Sequence, residues 1–151
     1  MGLFSKSIPD EDWLLQASPS YEAARPLGIA LSDAIRQENL EAQITAAQDV
    51  LQKFPVIRDA VKRLPSPTGA EARQAKKNLE SALKNYVDGA GQGTRLFRDM
   101  AGGLGERIAS GGFAARAATG RFAFQKSIFD EIVSKAARAM EQASKFLSRR
   151  G

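Results

Sequence analysis

Apolar residues recur with a regular period along the C-terminal quarter of the chain. Phe122, Phe129, Val133, Ala136, Met140, Ala143 and Leu147 follow a heptad spacing with one position skipped. That spacing lays one apolar seam along a helix of about seven turns. Ile128, Ile132, Ala139 and Phe146 widen the seam into the broad face a core-facing bundle helix needs. Asp130 and Glu131 come early, and Lys145, Arg149 and Arg150 come late, which suits the helix dipole. The pattern predicts a helix over 121–149.

A second periodic face runs through Ala75, Leu79, Ala82, Tyr86, Ala90, Gly93, Phe97 and Met100. Thr68 and Glu71 form a capping-box sequence just before it. A helix is predicted over 68–88 or longer. Gly89, Gly91 and Gly93 each weaken a helix by about 1 kcal/mol relative to Ala. Either the helix ends near Asp88, or these small residues allow another helix to approach closely.

The N-terminal half is more broken. Ser7, Pro9 and Asp10 predict a short helix through Gln16, anchored by Trp13 and Leu14. Ser18 before Pro19 reads as a fresh helix start, and Pro26 as an early interruption or kink. Leu27, Leu31 and Ala34 form one apolar run; Leu40, Ile44, Ala47, Leu51 and Phe54 form another, out of phase with the first. A turn at Glu38-Asn39, with Asn39 capping the second run, accounts for the shift; the alternative is one helix from Pro26 to Lys53 with a shifted face. The main helix over 19–53 is therefore expected to break near Glu38. Pro55 is expected to end it and to begin a short helix through Leu64. Pro65 and Pro67 forbid helix between them.

These patterns define an all-α chain: a single-domain antiparallel bundle of three or four main helices over residues 1–151, with short capping helices. Phe129, Val133, Met140, Leu147, Leu79, Tyr86, Leu40, Ile44 and Leu51 are the expected core. Residues 101–120, punctuated by six glycines, are expected to be a mobile Gly/Ala-rich connection with a short helix over 104–109. Residues 1–8 are expected to be a flexible N-terminus. Gly2 there suggests a myristoylation signal, but Lys6 stands where that signal needs Ser or Thr.

Leu40, Ile44, Leu51 and the closing Pro55 fall where the second helix of a tetratricopeptide repeat places its pattern, so residues 38–55 resemble that element. Gln43 departs from it where the family has Ala, and Ala47 where it has an aromatic residue. No second copy follows at the family's period of about 34 residues. The resemblance implies one helix of a helical hairpin.

Composition narrows the chemistry. At 151 residues with 43% hydrophobic residues, the chain is long enough for a real core. It has no Cys and no His. Thiolate chemistry, zinc sites of the usual kind, and Ser-His or Cys-His catalysis therefore lack their residues. Gly89-Ala90-Gly91-Gln92-Gly93 does not meet the dinucleotide-binding spacing, and the phosphate-loop ending in Gly-Lys-Ser/Thr is absent. Glu38 with Glu41, and Asp130 with Glu131, read as solvent-facing or helix-start carboxylates. No catalytic residue, cofactor or metal is expected. No apolar run is long enough for a transmembrane helix and no signal-peptide pattern is present, so a cytoplasmic protein is expected.

Charge is uneven. Residues 1–75 hold 8 basic and 10 acidic side chains, a balance of −2; residues 76–151 hold 14 and 7, a balance of +7. Arg95, Arg98, Arg107, Arg116, Arg121, Lys126, Arg138, Lys145, Arg149 and Arg150 make up the basic half. Of these, Arg95, Arg98, Arg116, Arg121, Arg149 and Arg150 are the candidate anion-binding residues.

The functional expectation is a non-catalytic protein–protein interaction or assembly module that meets a partner, or a second copy of itself, through an apolar helix face. The alternative is peripheral binding of anionic membrane or nucleic acid through the basic half. That alternative predicts binding confined to residues 95–150 and weakened by orders of magnitude between about 50 and 200 mM salt. Changing Arg116, Arg121, Arg149 and Arg150 together to Gln should remove affinity and salt slope while preserving helix content. Undetectable binding of the unaltered protein at physiological salt would refute the alternative.

Overall fold

The computed structural model describes residues 7–99 and 112–149. Four helices are found there: α1 (Asp10–Arg36), α2 (Leu40–Arg63), α3 (Ala70–Asp99) and α4 (Gly112–Leu147). They form an antiparallel all-α bundle. Each helix packs on the next, and α4 returns to α1; α3 and α4 share the most extensive seam. The expected helix over 104–109 lies outside the described residues, as do Met100, Arg107 and Arg150.

The α3–α4 seam depends on close approach. A Cβ at Gly93 would stand 2.6 Å from Cε1 of Phe129, and one at Gly89 would stand 2.9 Å from Cγ2 of Val133. The missing side chains on α3 are filled by large ones on α4, so α3 continues past Asp88 to Asp99. Packing here outweighs the intrinsic cost of glycine in a helix. Phe129, Val133, Ala136, Met140, Ala143 and Leu147 are all buried, as their spacing predicts. The helix that carries them begins at Gly112, nine residues before the expected start.

Three proline readings are corrected. α1 runs unbroken through Pro19 and Pro26, and α2 runs through Pro55. All three prolines lie on exposed faces. Trp13, Ala17, Tyr21, Ala24, Leu31 and Ala34 are buried along the inner face of α1, and Val50, Phe54 and Val61 along that of α2. Each interior proline costs about 3 kcal/mol. Burial of a large apolar side chain contributes about 1.5–3 kcal/mol, so several such side chains hold each helix together. Ser18 is not an N-cap: it is buried, and its hydroxyl donates to the Leu14 carbonyl at 2.7 Å. The tetratricopeptide-like closure at Pro55 is absent for the same reason.

The α1–α2 turn forms as expected. Asn39 Oδ1 accepts from the Ala42 N–H at 3.0 Å and caps α2. Glu38 takes a left-handed φ of 55°. The Glu38 N–H donates to the Ile35 carbonyl and the Asn39 N–H to the Ala34 carbonyl, which closes α1 in a Schellman motif. The core face of α2 is rotated from the expected one. Leu40 is 46% exposed, because it is the first residue of its helix, and Ile44 and Leu51 are only half-buried. Ala47 and Phe54 of the expected run are buried, and Gln43, Ala46 and Val50 join them inside. Gln43 satisfies its amide by donating to the Ala34 carbonyl at 3.3 Å.

The start of α3 is also held differently from expectation. Asp10 Oδ1 accepts from the Gly69 N–H at 2.8 Å. Glu71 does not complete a capping box; its carboxylate takes two hydrogen bonds from Arg149, each 2.9 Å. Ile8 brackets the preceding loop: its N–H donates to the Ser66 carbonyl and its carbonyl accepts from the Thr68 N–H.

Two glycines in one helix test the seam. Gly93→Ala should lower unfolding free energy by about 1–3 kcal/mol through overpacking against Phe129. Nothing stands within 4 Å of a Cβ at Gly91, so Gly91→Ala should raise it by up to about 1 kcal/mol. Urea unfolding of both variants reads the difference, and equal shifts would refute the close-approach account.

Candidate functional site: the groove between α1 and α4

The seam between α1 and α4 is the loosest of the four between adjacent helices. Trp13 and Phe146 pack across it near the start of α1, with ring centroids 6.0 Å apart; further along, Ser18 and Ser32 on α1 and Ala137, Ser144 and Ser148 on α4 line open space. Two adjoining cavities fill that space, of about 530 Å³ and 290 Å³. Both are lined by Tyr21, Arg25 and Ser144, so they form one groove that follows α1 from Ser18 to Arg36.

Tyr86 reaches this groove from α3. Its ring lies against Gly28, where a Cβ would stand 2.8 Å from Cζ. Phe54 holds the same ring edge-on, with centroids 5.5 Å apart at 90°. Burial pushes the Tyr86 phenol above its ordinary value of 10.0, and the neighbouring Ser32 hydroxyl opposes that shift. Ser32 Oγ is itself buried and lines the same groove. On the rim, Arg36 is paired with Asp33. Arg25, Glu22 and Glu141 also line the groove, and none of them takes part in an ion pair among the described residues.

Three hydroxyls of the groove are bonded to the backbone. Ser18 donates to the Leu14 carbonyl, Ser144 to the Glu141 carbonyl and Ser148 to the Ser144 carbonyl. Each hydroxyl oxygen keeps lone pairs for a donor. A serine becomes a nucleophile beside a general base, whereas these protons are committed to the backbone. The groove can accept hydrogen bonds and bury apolar surface against Tyr21, Met140 and Leu147.

Along its α1 edge, Leu15 and Ile29 are 53% and 43% exposed. With Pro19, Glu22 and Pro26 they repeat at 4-3-4-3 spacing on the outward face of α1, and all five are exposed. Pro26 and Ile29 also line the groove. This stripe was readable in the sequence only by disregarding both prolines as helix breaks.

The candidate anion-binding residues lie apart. Arg149 is tied to Glu71 and sits over the Phe146 ring, 5.3 Å from its centroid. The pairing lowers the Glu71 carboxyl below 4.5 and raises Arg149. Arg95 and Arg98 are exposed on the last turns of α3, 24 residues or about 36 Å along the helix from Glu71. They follow Gly93 by two and five residues, which turns them away from the α4 seam. Arg121 is exposed on α4, Lys126 is paired with Asp130 at 2.9 Å, and Arg116 lies within α4. The described candidate anion-binding residues are thus not gathered on one surface.

Among the described residues, no cluster of acidic side chains could hold a metal ion and no helix is long and apolar enough to cross a membrane. Compared with family models, curated proteins and solved structures, the chain matches none.

The buried phenol gives a pH test. Its folded pKa lies above the unfolded one, so its contribution is fully present below pH 10.0 and is lost as pH rises through the folded value. Unfolding free energy should fall on the alkaline side, and Tyr86→Phe should flatten that fall relative to the parent. Parallel alkaline limbs would refute burial of the hydroxyl.

Proposed function

We propose that this protein is a non-catalytic interaction module whose α1 face, with the groove beside it, receives an α-helix of a protein partner. One observation carries the reading: an open groove runs beside an exposed apolar stripe of helical spacing. Isolated exposed apolar residues are ordinary on protein surfaces. Val56 on α2 and Phe124 on α4 are of that kind. Leu15, Pro19, Pro26 and Ile29 instead share one face over about four turns. An amphipathic helix laid along α1 covers such a stripe with its own i, i+3, i+4 and i+7 residues. Covering Leu15 and Ile29, already half-buried, contributes about 1 kcal/mol each. The serine oxygens and Arg25 supply hydrogen bonds that fix register.

A photoreactive phenylalanine analogue at Glu22 or Ile29 should give discrete adducts in cells making the protein, and one at exposed Gln52 on α2 should not. Ile29→Lys should suppress the adduct formed from Glu22. If neither α1 position yields a discrete adduct, α1 is an ordinary solvated surface.

A further inference from the structure

Charge along α1 is divided, and the division bears on what covers the stripe. Its first half carries Asp10, Glu11, Asp12 and Glu22 with no basic residue; its second half carries Arg25 and Arg36 with one acid, Asp33. A second α1 laid in the same direction would set Glu22 near Glu22 and Asp12 near Asp12. Laid in the opposite direction, with Ala24 of each copy at one level, the pattern becomes complementary. Glu22 then falls level with Arg25 and Pro26 of the second copy. Pro19 falls level with Ile29, and Glu11 and Asp12 with Arg36, which also pairs with Asp33 of its own helix. Leu15 meets Ser32 and Asp33, the one layer that mixes apolar with polar. The register repeats itself about a two-fold axis, as an interface between identical subunits requires. Opposed helix dipoles add to it.

We infer that the helix received by the α1 face is the α1 helix of a second copy of this chain, packed antiparallel about an axis near Ala24; this rests on the reading of that face as a docking surface. The prolines gain a role in it. Pro19 and Pro26 have no N–H, so the carbonyls of Leu15 and Glu22 lack their i+4 donors. Both carbonyls belong to residues of the stripe. Arg25 is exposed and outside every described ion pair. It has five donors and sits at the level of Glu22 of the second copy. There it reaches a carboxylate and a carbonyl that α1 leaves unsatisfied.

Sedimentation of the purified protein over about a hundredfold range of concentration should show mass rising from monomer toward dimer. Arg25→Glu or Glu22→Arg alone should weaken the dimer at least about tenfold, and the double exchange should restore most of it. Ile29→Lys should leave a monomer with parental helix content. Because the chain has no Cys, introduced thiols report orientation cleanly. Leu15→Cys protein mixed with Asp33→Cys protein should form the mixed disulfide on mild oxidation. Leu15→Cys alone should not, since its two copies lie about 27 Å apart along the axis. Monomer at every concentration, or ready Leu15→Cys self-linkage, overturns the antiparallel pair. A protein that stays monomeric yet cross-links from Glu22 to a different protein in cells retains the docking face and loses the self-pairing.

Discussion

Approach of α3 to α4 at Gly89 and Gly93 is the constraint on which the other seams depend. Phe129 and Val133 occupy the space that two side chains on α3 would have taken. That contact sets the rotation of α3 about its axis. With α3 so turned, Tyr86 points across the bundle, over Gly28 and against Phe54. One residue thereby touches α1 and α2 from α3, and its hydroxyl end reaches the groove beside α4. Between α1 and α4, Trp13 meets Phe146 near the start of α1, and the groove opens beside the serines further along.

Sequence reading succeeded where side-chain volume and periodicity agreed. The face of α4 from Phe129 to Leu147 is buried position by position as its spacing indicates. The turn at Glu38-Asn39 was legible because a phase shift and a capping residue coincide there. Prolines caused the main errors. Pro19, Pro26 and Pro55 carry strong local breaking tendencies, and burial on the opposite faces of their helices overrides them. Burial is a tertiary quantity, and a local window does not contain it. The capping box failed for a related reason. Glu71 found a stronger partner in Arg149, 78 residues away, and the cap came from Asp10, 59 residues away. The groove was illegible because it exists only between helices. Its serines and tyrosines are ordinary residues until α1 and α4 are set side by side.

Charge shows the same limit from the other side. The surplus of basic residues after position 75 is a fact of composition. Folding spreads those described here along α3 and α4 and pairs Lys76, Lys126 and Arg149 internally. Adding charges along a sequence measures net attraction, whereas a binding site needs them on one surface. The acidic and basic halves of α1 involve fewer charges but lie on one rigid helix, so their geometry is determinate.

The outward prolines of α1 join these threads. A helix that tolerates proline does so on the face where the freed carbonyls are not buried without a partner. That rule alone places Pro19 and Pro26 opposite Trp13 and Leu31. Placed there, they contribute apolar rings and unsatisfied acceptors to one exposed stripe. Water satisfies those acceptors in the isolated chain, so monomeric α1 is stable as it stands. A docked helix that supplies donors at the same level replaces that water without leaving a polar group unpaired. Arg25 is placed to be such a donor, because it is exposed, outside the described ion pairs and one helical turn from Glu22. The feature that disguised α1 as two short helices in the sequence is therefore the one that gives its outer face a hydrogen-bonding pattern to match.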